Sequence, residues 1–186
     1  MTSARLGKRL TILVFMFILF AGCASQPHLE EPKTLDVKPV VDYYFLAEYT
    51  GNSGEGFYVV AGDVKEVKGA LMEILAGKAP RTTFSEDESL NLVVFRGVFS
   101  TGGHGIKINR VERVGNTFIV HATFTDPGKG TIVTQAFTQP TAVIPLGKLP
   151  AGGYSAELYV NKVVSGEGKE VIEEEKLHKR IEFVVE

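Results

Sequence analysis

Hydrophobic residues fall into three regimes along the chain. Leu10 to Ala21 is apolar almost throughout and follows Arg5, Lys8 and Arg9. Ala24 to Pro39 is polar, carries prolines at 27, 32 and 39, and shows no apolar period. From Val40 onward, apolar residues recur in short runs separated by glycine-rich turns. The first regime has the shape of a secretory leader over residues 1–22, with a basic start, a greasy centre and small residues before the cut. A membrane-spanning helix needs about 20 apolar residues, more than this run holds. The second regime cannot bury enough surface to fold alone, and residues 23–39 read as a flexible tether.

The third regime predicts the folded domain, residues 40–186. Val41, Tyr43, Phe45 and Ala47 alternate with Asp42, Tyr44, Leu46 and Glu48, and Phe57 to Ala61 resumes after the turn cluster Gly51 to Gly56. That pattern predicts a hairpin. Asp63 then caps a helix in which Val64, Val67, Leu71, Ile74 and Leu75 share one face, and Gly77 with Pro80 ends it. After Phe84 the chain reads as strands. Leu92 to Phe99 is the near-continuous apolar run of a central strand. The apolar phase changes between Ile106, Ile108 and Val111, Val114, which marks a bulge or bend. Gly115-Asn116 turns the chain into the alternating run Phe118 to Thr125, and Asp126 to Gly130 is a second turn. Ile132 to Thr138, Thr141 to Leu146, Tyr154 to Val164 and Val171 to Glu186 complete the set, with Glu173 to Lys179 polar enough to be helical. Short glycine-rich connections suit antiparallel hairpins rather than parallel crossovers. The expectation is one α+β domain, predominantly antiparallel β, arranged as a sandwich or open barrel with one helix against a face or end.

Composition narrows the function. Removing residues 1–22 leaves 164 of 186, enough for one domain with a real core. A single cysteine excludes an internal disulfide. The whole chain carries a formal charge of −2, and loss of the three leader cations takes it to −5, which disfavours nucleic acid. The stretch Leu19-Phe20-Ala21-Gly22-Cys23 resembles the lipobox of bacterial lipoproteins. That resemblance implies a diacylglyceryl group on Cys23 and a chain held in a lipid bilayer. Buried methylenes contribute about 0.8 kcal/mol each, so two or three acyl chains anchor durably. Ala24, in place of an aspartate after the cysteine, implies the outer membrane if the envelope is Gram-negative.

Catalytic patterns are missing from the sequence. His28, His104, His121 and His178 are scattered and lack a cysteine partner for a zinc site. Val163 stands where a nucleophile elbow around Ser165 would need glycine. Gly128-Lys129-Gly130-Thr131 has neither the glycine spacing nor the following helix of a phosphate loop. The acidic run Glu173 to Glu175 reads as a solvated face. We expect no enzyme activity, cofactor or metal.

Three loops stand out: Thr101-Gly102-Gly103-His104-Gly105, Asp126-Pro127-Gly128-Lys129-Gly130, and Thr134-Gln135-Ala136-Phe137-Thr138-Gln139-Pro140. Each alone is a turn with glycines free to take positive φ. Together, in this order and interleaved with apolar strands, they resemble the C-terminal domain of the PrcB-type lipoproteins over residues 84–147, with His104 where that family usually has tyrosine. The resemblance implies a non-catalytic subunit that accompanies, stabilises or helps assemble a surface protease. The partner contacts it points to are Thr101, Gly102, Gly103, His104, Pro127, Gly128, Thr134 and Gln135, with the glycines admitting a partner's backbone; Thr134, Gln135 and Gln139 hydrogen-bond the loops into shape or touch the partner, Gln135 chiefly the former. A proteinase inhibitor acting through glycine-rich loops, and a structural envelope lipoprotein, with or without a small ligand inside a barrel, are the rival readings.

Overall fold

A computed structural model describes residues 30–46, 54–166 and 169–186. The leader, Cys23 and the first part of the expected tether lie outside the described residues. Ten strands and one helix follow in the order β1 (Lys33–Thr34), β2 (Val40–Asp42), β3 (Gly56–Ala61), α1 (Val64–Leu75), β4 (Thr83–Phe84), β5 (Leu90–Phe95), β6 (Gly105–Val114), β7 (Thr117–Pro127), β8 (Thr141–Gly147), β9 (Gly152–Ser165) and β10 (Lys169–Val185). They form a six-stranded sheet, β1-β6-β7-β9-β10-β4, and a four-stranded sheet, β2-β8-β5-β3.

Alternation along each strand decides what lies between the sheets. Phe57 and Val59, Leu92 and Val94, and Ala142 and Ile144 point from the small sheet into one buried cluster. Phe118, Val120, Ala122 and Phe124 meet them from β7, with Ala156, Leu158 and Val160 from β9. These side chains fill the space between the sheets, which makes the fold a sandwich rather than an open barrel. The intervening residues of the small sheet, Val60, Val93, Phe95 and Val143, face the other way and are covered by Val67 and Leu71 of α1 and by Phe45 and Leu46. Strand β5 is therefore buried on both faces, as the apolar run Leu92 to Phe99 predicts, but the strand spans Leu90–Phe95 and ends before Arg96 rather than at Phe99. The helix starts where expected. The Asp63 carboxylate accepts from the Lys65 and Glu66 amides, and the Glu66 carboxylate accepts from the Asp63 amide at 2.7 Å.

Several expectations need correction. The hairpin joining residues 41–47 to 57–61 does not form, because β2 pairs with β8 and β3 with β5, on opposite edges of the small sheet. The alternation around residue 45 is broken by a turn that buries Phe45 and Leu46 in succession. The stretch Ile132 to Thr138 is a loop, with Ile132 fully exposed, since it carries the chain from one sheet to the other. Glu173 to Lys179 is strand, interrupted by register shifts against β9 rather than by a helix. Parallel pairs also occur. Strand β7 runs parallel to β9 because the connection between them passes through β8 in the other sheet, and β10 is parallel to β4. The tether is shorter than its composition implies: Lys33 and Thr34 pair with Arg113 and Glu112, and Leu35 and Val37 pack against the core. A proline-spaced polar stretch can still lend one strand to an edge that another part of the chain supplies. The phase change in β6 is a register shift between Ile108 and Arg110, as the pattern implied. Residues 148–186 supply β9 and β10 and belong to the large sheet.

Leu71, fully buried between α1 and the small sheet, should dominate the attachment of the helix. Leu71→Ala is expected to cost about 2–5 kcal/mol in a urea unfolding titration.

Candidate functional site

Strands β6, β7 and β9 share one end of the sandwich, set by the register Gly105 opposite Thr125 and Pro127 opposite Ser165. Strand β5 delivers Arg96 to the same end, because Phe95 pairs with Thr141 at the start of β8. All three loops singled out from the sequence converge here. The Gly102 amide donates to the Thr134 carbonyl at 2.9 Å, Phe99 and Thr138 exchange backbone bonds, and the Thr138 hydroxyl donates to the Thr101 carbonyl at 2.9 Å. The Gly128 amide donates to the Ser165 carbonyl at 2.8 Å, which ties the second loop to the β9–β10 hairpin.

The glycines serve this closure. A Cβ at Gly102 would collide with the Thr134 hydroxyl, and one at Gly128 would stand 2.7 Å from the Ser165 carbonyl oxygen. Gly103 has φ +87°, and a Cβ there would press on Val133 and Pro127. The close backbone approach expected of Gly102 and Gly103 is thus made first to this chain's own loops, not reserved for a partner.

A charged network that sequence reasoning missed lies beneath the loops. Arg96 is buried, at 3% exposure. Its guanidinium donates to Asp126 Oδ1 at 2.7 Å and to the carbonyls of Thr125 at 2.6 Å and Gly105 at 3.2 Å. It also lies over the rings of Phe99 and Phe124, at 5.1 and 4.9 Å from their centroids. His104 stacks on Phe99, ring centroids 3.8 Å apart, and places Nδ1 2.7 Å from the same Asp126 oxygen. Burial pushes the Asp126 carboxyl up, but the hydrogen bonds and charges of Arg96 and His104 outweigh it and hold the group below the ordinary carboxylate range. An ionised carboxylate only accepts, so Nδ1 of His104 carries the proton in this bond. A lone basic residue inside the apolar run Leu92 to Phe99 is the signal that could have found Arg96. Asp126 was in view, but only as a turn residue.

The other expected contacts divide by exposure. Gly103, Thr134 and Gln135 are exposed, Thr101, His104, Pro127 and Gly128 are half-buried, and Gly102 is buried. Gln135 lies at an exposed bend, and the glutamine built into the loops is the fully buried Gln139, whose backbone N–H donates to the Tyr43 carbonyl at 2.8 Å. That bond brings Tyr43 and Tyr44 to the rim of a groove of about 530 Å³ lined by Gly103, His104, Lys107 and Thr134. Tyr43, Tyr44, Ile132 and Phe137 are exposed large apolar side chains at this end. His121, on the outer face of β7, sits between the Glu112 and Glu175 carboxylates instead. Among the described residues no cluster of three or more His, Cys, Asp or Glu is placed to hold a metal ion.

Residues 90–147 match the family model described as PrcB C-terminal. No curated protein and no solved structure matches the chain. The matched stretch is β5 to β8 and includes all three loops, so the resemblance read from the motifs is shown over those residues. In space it forms the inner part of the sandwich: β5 and β8 pair in the small sheet, β6 and β7 in the large one.

Asp126 yields a pH prediction with a definite sign. Its stabilising effect is complete above the ordinary carboxyl range, near pH 4, and is lost as pH falls through its depressed folded value. Asp126→Asn should lower the urea midpoint at pH 7 and flatten the acid limb below pH 4, compared with the parent protein in titrations at pH 7, 4 and 3. Arg96→Met should leave Asp126 with His104 as its remaining side-chain partner and cost about 1–3 kcal/mol at pH 7 in the same assay.

Proposed function

We propose that this protein is a non-catalytic binding module of the bacterial cell envelope, held to a bilayer through acylated Cys23, that engages a protein partner at the loop end of its sandwich. The partner is a secreted or surface protease, or its precursor, which the module stabilises or helps assemble. One observation carries the reading: the stretch matching the PrcB C-terminal family is also the stretch whose three motifs close into a single loop surface. The match supports a role as a subunit associated with a protease complex. The surface has the features of a protein contact, with exposed tyrosines and phenylalanine beside a pinned backbone.

Photo-crosslinking amino acids placed at Thr134 and Gln135 should capture one protein in intact cells, while the same probe at Asn116, at the other end of the strands, should not. Equal capture from both ends would contradict the assignment of the site. Stoichiometric inhibition of the captured protein, if it is a protease, would turn the support role into an inhibitory one. Metabolic labelling with an alkyne fatty acid should mark the parent protein and not Cys23→Ser; label retained by that variant would remove the anchor from the account.

A further inference from the structure

We infer that the β6–β7 turn is the end of the sandwich nearer the bilayer and the loop cluster the end farther from it. The partner taken up there is then a folded, water-soluble protein or ectodomain. This rests on the acylation of Cys23 proposed above. The exposed Tyr43, Tyr44, Ile132 and Phe137 invite a rival occupant, since aromatic and apolar side chains on an anchored protein can insert into lipid. Chain length decides between the two.

The chain joins the domain at one end only. Lys33 and Thr34 pair with Arg113 and Glu112, the Leu35 amide donates to the Val111 carbonyl at 2.8 Å, and the Glu30 carboxylate lies beside Gly115 in the β6–β7 turn. Strand β9 begins at this end and β10 finishes there, since Val185 pairs with Gly152. The loop cluster sits at the opposite ends of β6, β7 and β9. Strand β6 spans ten residues, which at about 3.3 Å each separates the two ends by about 30 Å.

Only Ala24 to Leu29 separate Cys23 from Glu30. Fully extended, that segment reaches about 25 Å; as a flexible coil it averages about 15 Å. An inverted domain, loops on the lipid, would lift Glu30 about 30 Å from the surface, beyond this reach. The upright domain needs no extension at all. The pairing of β1 with β6 is what makes the difference. A tether free as far as Pro39 would reach about 55 Å and would permit either orientation.

The test uses the full-length acylated protein, purified from membranes and reconstituted into phosphatidylethanolamine–phosphatidylglycerol vesicles carrying a rhodamine-headgroup lipid. Cys23 is the only cysteine, so once it is acylated a single introduced thiol can be labelled alone. A donor dye at Asn116→Cys should show severalfold higher energy transfer than one at Lys129→Cys. Inserting about 20 Gly/Ser residues after Ser25 should bring the two values together, because the reach then exceeds the length of the domain. Equal or reversed transfer on protein that floats with the vesicles would overturn the orientation alone. Parent protein that does not float would remove the anchor, and with it both this inference and the membrane part of the proposed function.

Discussion

A buried guanidinium at the end of an apolar strand sets the shape of the loop end. Arg96 leaves the small sheet at the end of β5, and every group that satisfies it comes from the large sheet: the Gly105 and Thr125 carbonyls and the Asp126 carboxylate. A desolvated charge without those partners would cost several kcal/mol. The two sheets are therefore committed to one alignment at this end, and the loops after β5 and β7 must close over the charge. His104 completes the arrangement by sharing Asp126 and covering Phe99. Hydrophobic burial between the sheets supplies most of the stability but no direction. The Arg96–Asp126 pair supplies the direction, and it does so where the surface is proposed to meet a partner.

The parts of this architecture that were legible in the sequence are those governed by local pattern. Asp63 announces the helix start, the apolar run from Leu92 announces a central strand although the strand ends at Phe95, and the phase change near Ile108 announces the irregularity in β6. The errors come from long-range pairing. Nothing in Val40 to Leu46 says that its partner is β8, a hundred residues on, rather than β3. Nothing in Lys33-Thr34 says that an edge of β6 awaits it. The candidate site divides the same way. Its glycines were visible because turns are local, whereas their purpose was misjudged, because the atoms they make room for, on Thr134, Val133 and Ser165, arrive from elsewhere in the chain. Arg96 escaped notice because the run Leu92 to Phe99 reads as one continuous strand that contains it, whereas the strand ends at Phe95.

The matched stretch, β5 to β8, shares its core with the segments on either side of it. Its inward residues are covered in part by Phe57 and Val59 of β3 and by Ala156, Leu158 and Val160 of β9, all outside it. Its loop surface also borrows from both sides, taking Tyr43 from before and Ser165 from after. The matched stretch is the part of the chain in which the two sheets are joined, and the flanking segments complete both sheets. The loop end lies within the matched stretch, whereas the opposite end is where the amino-terminal segment attaches.

The most direct test of the central claim is hydrogen–deuterium exchange, followed by mass spectrometry, on the parent protein and on Arg96→Met. If one buried guanidinium holds the loops as a unit, exchange should accelerate together in peptides covering residues 99–105, 125–131 and 134–139. The β6–β7 turn at residues 113–117 should keep its protection. Acceleration confined to the peptide containing residue 96, or spread evenly over both ends of the sandwich, would contradict the account.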